Sequence, residues 1–128
     1  MLKIAMGLLI AVLPVTIVQA QSMSVSTFLV KSEALKKKGP FALMSGDLKL
    51  LKAEVSNSAR AYAADVRVQR KSGKFTHGCP PAGSQLTLNS KELLDYFGAI
   101  PPTQRRMSVK SAFYNMMKTR YPCPSRGS

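Results

Sequence analysis

Residues 79–123 read CPPAGSQLTLNSKELLDYFGAIPPTQRRMSVKSAFYNMMKTRYPC. The first and last residues of this segment are the only cysteines in the chain. Each cysteine lies beside proline, and two short amphipathic segments lie between them. If the two thiols pair, the bond closes a long loop and ties the last helix back to the start of the segment. By chain-entropy arguments, closing a loop of this length stabilises the folded state by roughly 3.5–4 kcal/mol, less any strain.

The first 20 residues are typical of a secretory signal peptide. Lys3 precedes an apolar run over residues 4–18, and Ala20 follows Val18 at the spacing of a cleavage site. The run is short for a membrane span, which needs about 20 residues, and Pro14 interrupts it. We therefore predict export to the periplasm and a mature chain from Gln21, with a retained anchor as the alternative.

Export changes how the two cysteines are interpreted. In an oxidising compartment an even pair of cysteines is a disulfide by default. The sequence therefore predicts a bond between Cys79 and Cys123, which would matter in a chain with a core of modest size.

The hydrophobic pattern predicts an all-α domain of about four helices over residues 21–123, followed by a flexible tail at 124–128. Apolar residues recur at three-four spacing in segments of about 24–38, 45–71, 89–97 and 108–121. Ser or Asn stands at each start: Ser24 or Ser26, Ser45, Asn89 and Ser108. Gly39-Pro40, Gly73, Gly98 and Pro122 stand where the helices are predicted to end.

Positive charge is the most unusual bulk property. The chain has 19 Lys and Arg residues against 6 Asp and Glu residues, a net +13, which becomes +12 without Lys3. This excess favours acidic partners such as nucleic acid, anionic lipid, cell-wall polymers or an acidic protein face. The alternative is solubility with weak adhesion to anionic components of the envelope.

Catalytic and metal-binding patterns are weak. His77 and Cys79 are too few ligands for a metal site, and His77 is predicted to be an exposed loop residue. Glu92 and Asp95 are three residues apart on one helix, but a capping role and a surface role account for them. The sequence therefore predicts a protein that is not an enzyme and has no cofactor.

The second half of the chain resembles the Rap/Tai family. The resemblance rests on Cys79-Pro80-Pro81-Ala82-Gly83, Leu93-Leu94, residues 101–106, residues 108–113 and Tyr121-Pro122-Cys123. These small exported bacterial proteins are immunity proteins against type VI secretion amidase effectors. The resemblance implies an all-helical protein that acts by binding a protein partner, here a cell-wall amidase effector.

The resemblance covers about a third of the chain, and the first half matches only in being helical. Many family members carry a further cysteine pair in the first two helices, which this chain lacks. They also often carry a Gly-rich aromatic motif in the central helix, where this chain has Ser58, Ala59, Ala61 and Tyr62. The resemblance therefore implies the fold of the family more strongly than it implies the same binding partner, because one fold can present different binding surfaces.

For a partner-binding module, basic residues in and beside the two loops are the candidates for recognition. These candidates are Lys74, His77, Arg105, Arg106 and Lys110. The alternative for Arg105 and Arg106 is that they cap and solvate a helix junction.

Two other functions stay open at this point. One is a general polyanion binder, whose affinity would fall steeply with salt. The other is a housekeeping periplasmic protein with no toxin partner. The oligomeric state also stays open, a homodimer included.

Overall fold

The computed structural model describes residues 22–82 and 88–124. Their helices are α1 (Val25–Lys38), α2 (Gly46–Ser72), α3 (Ser90–Ala99) and α4 (Val109–Arg120), with two 3-10 turns at Gly39–Met44 and Pro102–Gln104. This confirms the predicted all-α class and the four helices. The predicted leader at 1–20 and the tail beyond residue 124 lie outside the described residues. No helix within 22–82 and 88–124 is long and apolar enough to cross a membrane.

Polar side chains begin each helix at the predicted positions. Each cap oxygen accepts a hydrogen bond from a backbone N–H of the first turn, which would otherwise lack a partner. The pairs are Ser24 with Thr27, Ser45 with Asp47, Asn89 with Glu92, and Ser108 with Ser111. Ser24 rather than Ser26 is therefore the cap of α1.

The predicted helix ends hold except at α3. Gly73 ends α2 in the left-handed region at φ 73°, where glycine carries no steric penalty. Gly98 does not end α3, because the helix continues through Ala99 and stops at Ile100, whose conformation the following Pro101 restricts. The capping box is also only half formed, since the Glu92 carboxylate accepts a hydrogen bond from Arg120 at 3.2 Å.

The core lies where α2 crosses α4, with α1 and α3 packed around it. Tyr62 is fully buried, and its ring meets the ring edges of Phe113 and Tyr114 at centroid distances of 6.0 and 5.2 Å. Phe28 of α1 meets Phe97 of α3 in the same edge-on manner at 5.3 Å. Edge-to-face pairs of this kind add to the free energy gained from burial alone.

The predicted disulfide between Cys79 and Cys123 is present, across a sequence separation of 44 residues. The Cys79 N–H also donates to the carbonyl of Tyr121 at 2.8 Å. Gly78 lies so close to α4 that a Cβ there would approach the Tyr121 carbonyl oxygen to 2.9 Å, and its φ is 87°. Both the close approach and the positive φ require glycine at this position.

Side chains of α2 hold the same loop from the other side. Gln69 is buried, accepts the His77 N–H at 3.0 Å and donates to the carbonyl of Gly78. The Tyr62 hydroxyl donates to the His77 carbonyl at 2.7 Å, and Arg70 donates to the Pro80 carbonyl at 2.8 Å. The loop from residue 73 to 80 is therefore attached to α2 by hydrogen bonds and to α4 by the disulfide.

Removing the disulfide in a Cys79→Ser/Cys123→Ser double variant should lower the free energy of unfolding by about 4 kcal/mol, because the unfolded chain gains loop entropy. Urea denaturation at neutral pH measures this change. The wild-type protein in dithiothreitol is the matched control and should unfold like the double variant. Equal stability of the oxidised wild type and the double variant would contradict this role of the bond.

Candidate partner-binding surface

The five predicted recognition residues do not form one site. His77 and Lys110 both lie close to the ring of Tyr114. Arg105 and Arg106 follow the Pro102–Gln104 turn between α3 and α4. The structure therefore brings two of the predicted residues together around one ring, and Arg105 and Arg106 belong to a different part of the framework.

The prediction that His77 is an exposed loop residue is wrong. Its ring is half-buried against the ring of Tyr114, with centroids 5.4 Å apart, and its Nδ1 is buried without a hydrogen-bond partner among the described residues. Its backbone N–H and carbonyl are both engaged by α2. The backbone of His77 therefore belongs to the attachment of the loop.

Arg105 is also part of the framework. Its Nε donates to the carbonyl of Ile100 and its terminal nitrogen to the carbonyl of Gly98, both at 2.9 Å. These carbonyls lie at the C-terminal end of α3, where a cation is favoured. The carbonyl of Arg105 in turn accepts the Ser26 N–H at 2.9 Å, so the residue joins the end of α3 to the start of α1. The alternative that the sequence left open, a capped helix junction, holds for Arg105.

The remaining three candidates are exposed cations. Lys74 and Arg106 have no side-chain hydrogen bond within residues 22–82 and 88–124, and Lys110 lies 5.6 Å from the centre of the Tyr114 ring. Exposed lysines and arginines of this kind steer a charged partner but define no pocket.

Tyr114 connects α4 to α2 beside His77 and Lys110. Its hydroxyl donates to the carboxylate of Asp65 at 2.7 Å. Burial, the hydrogen bond to Asp65 and the charge of Asp65 together raise the pKa of Tyr114 above its ordinary value, and burial also raises the pKa of Tyr62. Both phenols therefore stay protonated at neutral pH and act as hydrogen-bond donors.

The two carboxylates considered on α3 each lie beside a different cation. Asp95 lies 2.6 Å from Lys91, and Glu92 lies 3.2 Å from Arg120, so each carboxylate is paired with a different cation. Within residues 22–82 and 88–124, no three His, Cys, Asp or Glu side chains come close enough together to hold a metal ion.

An apolar groove, which the sequence did not predict, lies between α1, the first half of α2 and the start of α3. Its volume is about 580 Å³. The apolar side chains that line it are Phe28, Leu35, Ala42, Leu48, Leu51, Val55, Leu88, Leu93 and Leu94. A groove of this size and composition is within the range of ligand and peptide sites in proteins.

Three polar side chains in the groove wall already have partners inside the protein. Ser32 donates to the Phe28 carbonyl at 2.8 Å, and Ser56 accepts from Arg60 at 3.1 Å. Asn89 accepts the Glu92 N–H as the cap of α3. The groove thus offers apolar contact, and Lys36 and Lys52 are the only charged side chains among the described residues of its lining.

Beside the groove, the 3-10 linker Gly39–Met44 exposes large apolar side chains. Phe41, Leu43 and Met44 are 76%, 79% and 88% exposed, whereas Ala42 between them lines the groove. Consecutive exposed apolar residues at the edge of a groove are typical of an interaction site, whereas single exposed ones are not.

The same part of the chain is strongly basic. Residues 31–52 contain six lysines and two acids, a net +4. Asp47 is bonded to Lys31 at 2.8 Å, a hydrogen bond that lowers the pKa of Asp47, and Glu33 is bonded to Lys36 at 2.9 Å. The lysines left without a carboxylate partner among the described residues are Lys37, Lys38, Lys49 and Lys52.

Sequence reasoning missed this surface because each of its parts has a simpler local interpretation. Leu48, Leu51 and Leu93 fit a core stripe, and residues 41–44 fit a short connection. The one local signal was the run Phe41-Ala42-Leu43-Met44, which is too apolar for an ordinary solvent-exposed linker.

Comparisons with protein-family models, with curated proteins and with solved structures found no match to this chain.

Tyr114→Phe should lower the free energy of unfolding by about 1–2 kcal/mol at pH 7, because a hydrogen bond to a carboxylate is lost. The loss should shrink as the pH rises above about 10, where an unfolded tyrosine ionises. Because folding raises the pKa of this tyrosine, its protonated hydroxyl stabilises the folded state fully at pH values below the pKa of the unfolded chain. This stabilisation is lost as the pH rises further. Urea denaturation from pH 7 to 11 measures both effects.

The matched control for this prediction is Tyr96→Phe, since the Tyr96 hydroxyl makes no hydrogen bond in the described part of the chain. That variant should differ little from wild type at pH 7. A Tyr114→Phe deficit that stays the same size up to pH 11 would show that the hydroxyl does not act through its protonated form.

Proposed function

We propose that this protein is an exported, non-catalytic binding protein of the Rap/Tai immunity type, and that it docks against a cell-wall amidase effector. The observation that carries the proposal is the exposed apolar linker beside the groove, with Phe41, Leu43 and Met44 open to solvent. Exposing three large apolar side chains within four residues costs free energy in water. A partner that covers them in the complex removes this cost.

The disulfide supports the choice of family. Cys79 and Cys123 are the ends of the stretch that carries the resemblance, and they are bonded to each other. Tyr121 and Gly78, which flank the two cysteines, pack closely across the same junction. The residues that resemble the family therefore act together as the framework of this fold.

The mode of action follows from the kind of surface. The groove and the linker offer apolar area with basic residues around it, and this combination suits a partner face that is apolar at its centre and acidic at its edge. Such a protein inhibits by covering the active-site cleft of its partner. The exposed Lys74, Arg106 and Lys110 then contribute to steering rather than to the contact itself.

The test is binding and inhibition with a panel of type VI amidase effectors. We expect one effector to bind and to lose its peptidoglycan hydrolysis, as measured by calorimetry and by release of cleaved muropeptides. A Phe41→Ser/Leu43→Ser variant should bind at least tenfold more weakly, because it loses apolar contact while the helices are untouched.

Val68→Ser is the matched control, because Val68 is also an exposed apolar residue, 64% accessible, and it lies on α2 away from the linker. It should bind like wild type, and Lys74→Ala and Lys110→Ala should mainly slow association. The proposal is wrong if no effector in the panel binds. It is also wrong if the linker variant and the Val68 variant are equally active.

A further inference from the structure

We infer that the apolar groove accepts one acidic amphipathic helix of the protein partner, with the apolar face of that helix lying against α1, α2 and α3. This inference rests on the proposed function and specifies which structural element of the partner is bound. It depends on three properties of the described residues: the shape of the groove, the charge around it and the linker at its edge.

The shape favours a side of a helix over a single inserted side chain. Three helices supply the walls. The apolar lining residues of α2, Leu48, Leu51 and Val55, are three or four positions apart, and Leu93 and Leu94 of α3 lie in the same lining. Apolar residues at i, i+3, i+4 and i+7 of a partner helix form a stripe that fits such a groove. A volume of about 580 Å³ accommodates several side chains of that stripe.

The charge selects an acidic helix. Lys52 lines the groove and has no carboxylate partner within residues 22–82 and 88–124, and Lys49 lies one turn away on α2. Lys37 and Lys38 end α1 close to the linker. Carboxylates flanking the apolar stripe of a partner helix would meet these ammonium groups.

The same charge disfavours a second copy of this chain as the occupant. Two copies joined through this face would bring together two segments that each carry net +4. Like charges placed against each other across an interface cost several kcal/mol. An acidic partner removes this repulsion.

The linker disfavours an isolated fatty-acyl chain. Phe41, Leu43 and Met44 lie at the edge of the groove and remain largely exposed. An acyl chain within the groove would leave these side chains in water. A helix together with the partner surface that carries it extends far enough to cover both the groove and the linker.

The test uses the protein purified after expression of the full 128-residue chain and a fluorescent synthetic peptide of about five helical turns. The peptide places Leu at i, i+3, i+4 and i+7 and Glu at most other positions. Anisotropy measures the affinity against two control peptides. One has Lys in place of every Glu, and the other has the same composition with the Leu positions scrambled.

We expect the acidic striped peptide to bind at least tenfold more tightly than either control. Lys52→Glu should weaken its binding at least fivefold, and Lys71→Glu, which makes the same charge change on an exposed lysine at the other end of α2 and outside the groove, should not. Raising the salt concentration should reduce the affinity only in part, because the apolar contact is not screened.

Three results would overturn the inference. Equal binding of the striped and scrambled acidic peptides would indicate general attraction between opposite charges. Equal loss in Lys52→Glu and Lys71→Glu would place the peptide outside the groove. Displacement of the peptide by phosphatidylglycerol vesicles, with tighter binding to the vesicles, would identify a lipid surface as the occupant.

The inference and the proposed function can fail separately. If an amidase effector is inhibited equally by wild type and by Lys52→Glu while no peptide binds, the groove is not the helix site and the immunity role stands. If the striped peptide binds in the groove and no effector is inhibited, the helix site stands and the immunity role is wrong.

Discussion

The attachment of the loop at residues 73–80 to both α2 and α4 is the constraint on which the rest of the structure depends. Gln69 and Tyr62 hold the loop backbone from α2, and the disulfide together with the Cys79 N–H holds it to α4. A small domain buries a smaller fraction of its surface than a large one, so each link between its segments matters more to stability. Here side-chain hydrogen bonds from α2 and a disulfide meet at one junction, and Gly78 allows the backbone to fit there.

The two ends of α2 differ in their surroundings. Leu51 and Gln69 are 18 positions apart, which corresponds to about 27 Å along the helix. At the Gln69 end, the side chains of Gln69 and Arg70 hold the loop backbone through hydrogen bonds. At the Leu51 end, apolar surface and unpaired lysines remain available. In the proposed binding role, a framework that is ordered in advance would reduce the entropy lost on association.

Much of the fold could be predicted from the sequence because its signals are local. The caps at Ser24, Ser45, Asn89 and Ser108 and the stop at Gly73 depend on a few neighbouring residues, and all hold in the structure. Periodicity also identified the buried sides of α2 and α4. The end of α3 was placed too early because Gly98 was taken as a stop, whereas the chain stops only where Pro101 restricts Ile100.

The binding surface could not be predicted in the same way, because it arises from packing between distant segments. His77 was expected to be exposed, and only the loop attachment shows it to be half-buried beside Tyr114. Arg105 was a recognition candidate and instead caps α3. Conversely, the groove requires Leu48 and Leu93 to come together across more than 40 residues of chain. A basic residue in a loop is a weak predictor of recognition when its charge can be used by a nearby helix end.

We propose that the linker and groove, rather than the basic loops, form the contact with the partner. Hydrogen–deuterium exchange of the protein, free and bound to an amidase effector, tests it most directly. We expect slower exchange in Gly39–Met44 and in the first half of α2, with no change at residues 73–80 and 105–110. Slower exchange at those two loops, with an unchanged linker, would contradict the claim and return recognition to the basic residues.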